Sequence, residues 1–196
     1  MADVISETGG IGFTVQAVAD RAGLTHRTVY NHFPTREALC DAFAQYVDGL
    51  LESTGVRMAA NPLLPGELPT TVASLFKALG RRDRHARAYV MLMIANRRPT
   101  KAWSDRTRAL ERKITRKVSG RAPLAPRQVT AAVRLFMSSV GWHLLTEQCG
   151  LSTDEAAVTS AWAIQTLVEA ATGQRASASI PSSTPSQRGS HATRRR

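Results

Sequence analysis

With 196 residues and 43% apolar side chains, the chain can build one large or two small domains with a sizeable core, which excludes global disorder. Its longest apolar run, Ala88–Ala95, is far short of the roughly 20 residues that span a bilayer, so no membrane partner is expected. The opening MADVISETGG lacks the basic start and apolar stretch of a secretory signal, so a cytoplasmic location is expected.

The net charge of +11 is unevenly placed. Residues 1–50 hold Arg21, Arg27 and Arg36 against six acids, whereas residues 77–121 hold fifteen Lys or Arg against Asp83, Asp105 and Glu111. Basicity alone therefore does not locate a nucleic-acid surface; the direction of a few side chains must. Cys40 and Cys149 stand far apart without ligand spacing, so reduced thiols and no zinc site are expected. No cofactor-binding or metal-binding motif is present.

In chain order, Ala2–Glu7 reads as a helix with Val4 and Ile5 apolar, ended by Gly9-Gly10. Phe13 to Leu39, FTVQAVADRAGLTHRTVYNHFPTREAL, holds two short helical patterns separated by Gly23. Thr14 is placed to cap the first, whose apolar face is Val15, Val18 and Ala19. Gly23 suits a left-handed stop, Thr25 caps the second helix to about Asn31, Val29 and Phe33 turn inward, and Pro34 ends the segment. A small residue at 19, a glycine at 23 and a branched residue at 29 suit a helix-turn-helix, whose second helix enters the major groove. Its outward side chains would be His26, Arg27, Tyr30 and Asn31, flanked by Thr25, Thr28, His32 and Arg36; all can hydrogen-bond to a base edge or a phosphate.

From Thr35 a helix is predicted to about Ser53, with the stripe Leu39, Ala42, Phe43, Tyr46, Val47 and Leu50. Asn61–Pro69 reads as a loop, and Thr71–Leu79 as a helix with Val72, Leu75, Phe76 and Leu79 inward. Arg84–Asn96 is apolar nearly all round over Tyr89–Ala95 and is expected at the centre of a second domain. Thr100–Val118 is a basic amphipathic helix with Trp103, Thr107, Leu110, Ile114 and Val118 inward; its charges read as a solvated face, with Arg97 or Arg98 as candidates to reach an anionic ligand. After the break Gly120–Pro126, Arg127–Gln148 and Thr153–Thr172 read as two long helices joined at Gly150-Leu151-Ser152. Their apolar faces exceed what one core needs, and the surplus reads as a homodimer interface through 127–148 and 153–172. Gly173–Arg196 is rich in Ser, Thr, Ala and Arg and is expected to be a disordered basic tail.

The residues Gly12-Phe13-Thr14, Val18-Ala19, Ala22-Gly23-Leu24, Thr28-Val29-Tyr30-Asn31-His32-Phe33 and Arg36-Glu37-Ala38-Leu39 resemble the DNA-binding domain of the tetracycline-repressor (TetR) family of bacterial regulators. By position, the resemblance implies base contacts from Gln16, His26, Arg27 and Tyr30, and phosphate contacts from Thr14, Thr25, Thr28, His32 and Arg36. It also implies that the helix from Thr35 joins the DNA-binding domain to the rest, and that the last two helices dimerise. The chain departs from the family pattern at its start, where about one and a half turns stand for a longer first helix; a start codon placed too late is the expected reason.

The resulting expectation is an all-α protein: a three-helix helix-turn-helix domain over 1–47, a helical effector-binding and dimerisation domain over 48–172, and a tail over 173–196. Its function would be transcriptional regulation as a homodimer on double-stranded DNA carrying an inverted repeat, as a repressor released by an unidentified small molecule. Candidate pocket residues are Phe76, Met91, Ile94, Trp103, Phe136 and His143, apolar or amphipathic positions on the central helices. An enzyme is disfavoured because His26, His32, His85, His143 and His191 sit in no catalytic pattern. The alternative is a ligand-independent DNA-binding or protein-binding module that has lost part of its first helix.

Overall fold

The computed structural model of the protein describes residues 1–10, 12–54, 67–95, 99–118 and 122–173, and every regular element among them is helical. The order is α1 (Ala2–Thr8), α2 (Val15–Ala22), α3 (His26–His32), α4 (Arg36–Glu52), α5 (Leu68–Arg81), α6 (Asp83–Ala95), α7 (Lys101–Thr115), α8 (Pro126–Phe136), α9 (Ser139–His143), a π-helical turn (Leu144–Gln148) and α10 (Thr153–Thr172). The candidates Arg97 and Arg98, and the tail beyond Gly173, lie outside the described residues.

Local chemistry sets the first boundaries. Thr14, Thr25 and Thr35 each adopt extended backbone, and each hydroxyl accepts the amide hydrogen three residues on, from Ala17, Thr28 and Ala38 at 3.1, 3.1 and 3.0 Å. Each thus satisfies an orphan donor of the helix it starts. Gly23 has φ of 66° and donates to Asp20, while Leu24 donates back to Ala19. That pair of bonds ends α2 and turns the chain into α3 at a conformation a side chain would oppose.

α4 packs against α5, α6 and α7, and so departs from the expected single stripe. Leu39, Cys40, Phe43, Ala44, Val47 and Leu51 are buried, whereas Tyr46 is 54% exposed and leans on the His85 ring at 5.8 Å. With neighbours on several sides, the buried face widens toward Cys40, Ala44 and Leu51. α5 buries Val72, Leu75, Phe76 and Leu79, as its periodicity requires.

α6 is central, touching α1, α4, α5 and α9, but it is not apolar-buried all round. Ala86, Ala88, Tyr89, Val90 and Leu92 are buried, while Ile94 is 67% exposed. In α7, Leu110 and Ile114 are buried and Trp103 and Thr107 half-buried; the helix stops at Thr115, short of the expected Val118, which is half-buried beyond its end.

The expected single helix over Arg127–Gln148 is corrected. α8 stops at Phe136, and Ser138 takes up extended backbone at φ −138°. The Ser138 hydroxyl donates to the Leu135 carbonyl at 2.8 Å and accepts from the Gly141 amide at 3.0 Å, closing one helix and opening the next. A Cβ at Gly141 would lie 2.2 Å from the Leu135 carbonyl oxygen, so only glycine fits this close approach. α10 then starts on a capping box, Ser152 with Glu155, and packs on α5 and α8.

Two features tie the first helices to the rest. α1 lies on α6, where Asp3 pairs with Arg84. α4 is held by α7 twice: Asp41 Oδ1 accepts the Lys101 amide hydrogen at 2.9 Å, and Arg106 Nη1 donates to Asp48 Oδ2 at 2.5 Å.

Candidate functional site

The helix-turn-helix is α2, the Gly23 turn and α3, with Ala19 fully buried and Val29 at 5% exposure in the same apolar core. This seating leaves His26, Arg27, Tyr30, Asn31 and His32 exposed and Thr28 half-buried. Arg27 and Asn31 are one turn apart and therefore neighbours on the helix surface. Neither has a hydrogen bond or ion pair within the protein among the described residues, so their donors are available to a ligand. The His26 and Tyr30 rings, also one turn apart, meet edge-on at 4.5 Å, which orders both side chains beside that pair.

The flanking residues are arranged by the caps. The Thr14 and Thr25 hydroxyls accept from Ala17 and Thr28, and the Thr25 and Thr28 hydroxyls lie 2.8 Å apart. Gln16 is exposed, its amide donating to Asp20 at 2.6 Å. Arg36, at the start of α4, lies with its guanidinium 4.2 Å from the centroid of the buried Phe13 ring. That contact fixes the side chain at the foot of the recognition unit. Arg21 binds both oxygens of Glu7, at 2.7 and 2.6 Å, and so clamps α2 to α1. All ten sequence-predicted contact residues thus fall on α2, α3, their caps and the first turn of α4.

A second feature lies between α4, α5, α6, α7 and α8: a cavity of about 30 Å³ with polar walls from Asp48, Arg106, Arg134 and Ser139 and apolar walls from Leu51, Leu75, Leu79 and Met137. Trp103 and Tyr89 complete it. The Arg134 guanidinium lies 4.0 Å from the centre of the Trp103 ring. Burial, and then the nearby charge of Arg106, lower Arg134 to about 10. Burial also raises the Tyr89 phenol.

Of the six pocket residues expected from sequence, Trp103 lines this cavity and five lie elsewhere. Phe76 is fully buried, Ile94 faces outward, and Phe136 is half-buried at the end of α8. Met91 packs beneath the α1–α2 link, where a Cβ at Gly10 would meet the Met91 carbonyl at 2.8 Å. His143 is half-buried, its Nδ1 enclosed without a partner. The sequence reading missed Asp48, Arg106 and Arg134. The available signal was a charge inside an apolar stripe: Arg134 follows Val133 on the inward face of α8, and Asp48 follows Val47 in α4.

Among the described residues no helix is long and apolar enough to cross a membrane, and no cluster of His, Cys, Asp and Glu could hold a metal ion. No curated protein and no solved structure gives a match to the chain. Residues 2–43 match the model of the bacterial regulatory proteins, tetR family, a stretch that contains α1, α2, the Gly23 turn, α3 and the start of α4. Over that stretch the chain is similar to the DNA-binding part of the tetR-family regulatory proteins, which supports a transcription regulator that binds DNA through this helix-turn-helix.

Proposed function

We propose that the protein is a cytoplasmic homodimeric repressor whose hold on DNA is released by a small molecule bound in the domain of residues 48–172. His26, Arg27, Tyr30 and Gln16 would read bases, Thr14, Thr25, Thr28, His32 and Arg36 would fix the unit on the backbone, and Asn31 would add a contact to a base edge or a phosphate. Two copies would set their recognition helices roughly 34 Å apart in successive major grooves and read an inverted repeat.

Dimerisation through α8, α9, the π-helical turn and α10 is supported by large apolar side chains left exposed there: Leu135 at 47%, Leu144 at 41% and Trp162 at 49%. A symmetric contact of these elements would cover them twice over.

The observation that carries ligand control is the double tie between α4 and α7. Asp41 and Asp48 sit on the helix that leaves the DNA-binding unit, and both are held by α7, one of the walls of the cavity. A ligand that binds one placement of α7 better than another therefore biases the tilt of α4. DNA affinity changes by the ligand's preference between the two placements and by no more.

The test is a gel shift on DNA from the protein's own upstream region at two salt concentrations, beside an Arg27→Ala, Tyr30→Ala double variant. A specific shift lost in the variant supports sequence reading. Weak binding that is equal in both proteins and equally salt-sensitive would end it. Sedimentation of the free protein and of the complex tests the dimer, since an inverted repeat bound by one chain would refute it.

A further inference from the structure

We infer that the effector is an organic acid, and that its carboxylate is received by Arg134 in the cavity beside Trp103. The inference rests on the proposal that this domain binds the effector, and it adds the chemical class.

Arg134 is 7% exposed, and its Nε has no hydrogen-bond partner. Among the described residues it forms no ion pair. The segments outside the description, 11, 55–66, 96–98, 119–121 and 174–196, contain no Asp or Glu, so no side-chain carboxylate of the chain is left to neutralise it. Asp48 faces the same cavity but is engaged by Arg106, whose own Nε is likewise buried and unpartnered. Two guanidinium groups thus share one carboxylate in a half-open, mostly desolvated space. A buried charge without a partner is costly, and a site that keeps one fits a function that supplies the missing charge.

Trp103 gives Arg134 a cation–π contact but no countercharge. The shift of Arg134 to about 10 has the same meaning, since an anion would reverse it. The exposed arginines of the outer face of α7, Arg108 and Arg112, differ in being solvated already.

The size of the space narrows the class. About 30 Å³ holds roughly two water-sized groups, which matches the two oxygens of a carboxylate. A planar fork of N–H donors suits that group, and the alkyl body of a short acid would extend from it past Leu51, Leu79 and Met137 through the open side of the cavity. The site also carries a route to DNA release. An anion seated beside Asp48 repels it and competes for Arg106, loosening the tie that α7 keeps on α4.

The experiment is a calorimetric titration of the intact protein at fixed ionic strength with sodium formate, acetate and butyrate, and with butyramide, chloride and inorganic phosphate for comparison. Saturable binding of a carboxylate, at least tenfold tighter than butyramide, chloride and phosphate, is expected. Arg134→Gln should weaken it at least tenfold while keeping the helical circular-dichroism spectrum. Butyramide binding as tightly as butyrate would overturn the inference, as would a preference for chloride or phosphate, or no carboxylate binding at all. Should Arg134→Gln fail to fold, the butyrate–butyramide comparison on the natural protein decides alone. A gel shift in butyrate separates the two proposals: carboxylate binding without change in DNA affinity keeps the site and removes the control. Release by an uncharged compound, with no carboxylate binding, does the opposite.

Discussion

Arg106 on α7 donates to Asp48 on α4 across 2.5 Å, with the two side chains only 22% and 15% exposed. Their pairing joins the helix leaving the DNA-binding unit to the wall of the cavity. Asp48→Asn would leave Arg106 and Arg134 together without a carboxylate. The expected loss is about 3 kcal/mol, the lower end for breaking a buried pair, read as a lower urea midpoint. Asp48→Leu combined with Arg106→Met should recover most of it, because both desolvated charges leave together. A double variant as unstable as Asp48→Asn would show that the pair matters through packing instead.

Gly141 and Gly49 should respond oppositely to alanine. At Gly141 the added Cβ would meet the Leu135 carbonyl at 2.2 Å, a backbone atom that cannot swing aside. A loss of about 1–3 kcal/mol or more is expected, as for an overpacked core. At Gly49, inside α4, a Cβ meets nothing within 4 Å. Alanine there should gain about 0.5–1 kcal/mol from helix propensity. Thermal melts of the two variants check both signs, and a neutral Gly141→Ala would mean that the α8–α9 break is not held by that contact.

What the sequence disclosed, and what it concealed, follows from the range of each interaction. Thr14, Gly23 and Thr25 act on amides within five residues, so their roles could be read directly and the structure keeps them. The inward face of α5 was equally plain, since Val72, Leu75, Phe76 and Leu79 repeat at helical spacing. The break at Ser138 was hidden because Val129, Val133, Phe136, Val140 and Leu144 keep a helical period straight through it. Ser138 caps the new helix there by accepting from the Gly141 amide, a local bond that apolar spacing does not register. Arg134 was hidden for a different reason. Periodicity turns its position inward, whereas its charge argues outward, and only the tertiary arrangement with Trp103 and Asp48 decides between them. The DNA-contact candidates were legible as a set because one turn and two short helices place them; which of them reads a base depends on the DNA.

Arg27 and Arg36 should differ in how they weaken DNA binding. Arg27 is exposed on α3, next to Asn31, and is proposed to meet a base edge. Arg27→Ala should cost about 1–3 kcal/mol on the preferred site and flatten the preference among sites. Arg36, beside Phe13 at the start of α4, is proposed to meet a phosphate. Arg36→Met should weaken all sites alike and reduce the slope of log affinity against log salt by about 0.9. Gel shifts on a site library at several salt concentrations distinguish the two. An unchanged slope for Arg36→Met would remove it from the backbone contacts.

Acidification should destabilise the fold in two steps of the same sign. His85 is held below its ordinary 6.5, first by burial and then by Arg84 and Arg82. The unfolded chain therefore takes up that proton more readily than the folded one, and stability declines as pH falls from 6.5 through the folded value of His85. Glu147 is held below 4.5 chiefly by its hydrogen bond from Arg87, 2.6 Å long, and Glu155 below 4.5 by Ser152. These carboxylates contribute fully above about 4.5, and the contribution is lost as pH falls through their folded values. Melting temperatures should fall gently as pH drops below 6.5 and more steeply once it drops below about 4.5. His85→Gln should remove the first decline and keep the second, whereas Glu147→Gln should blunt the second and keep the first. A melting temperature that rises as pH drops below 6.5 would contradict the assignment of His85, because a histidine stabilised in its charged form gives that sign.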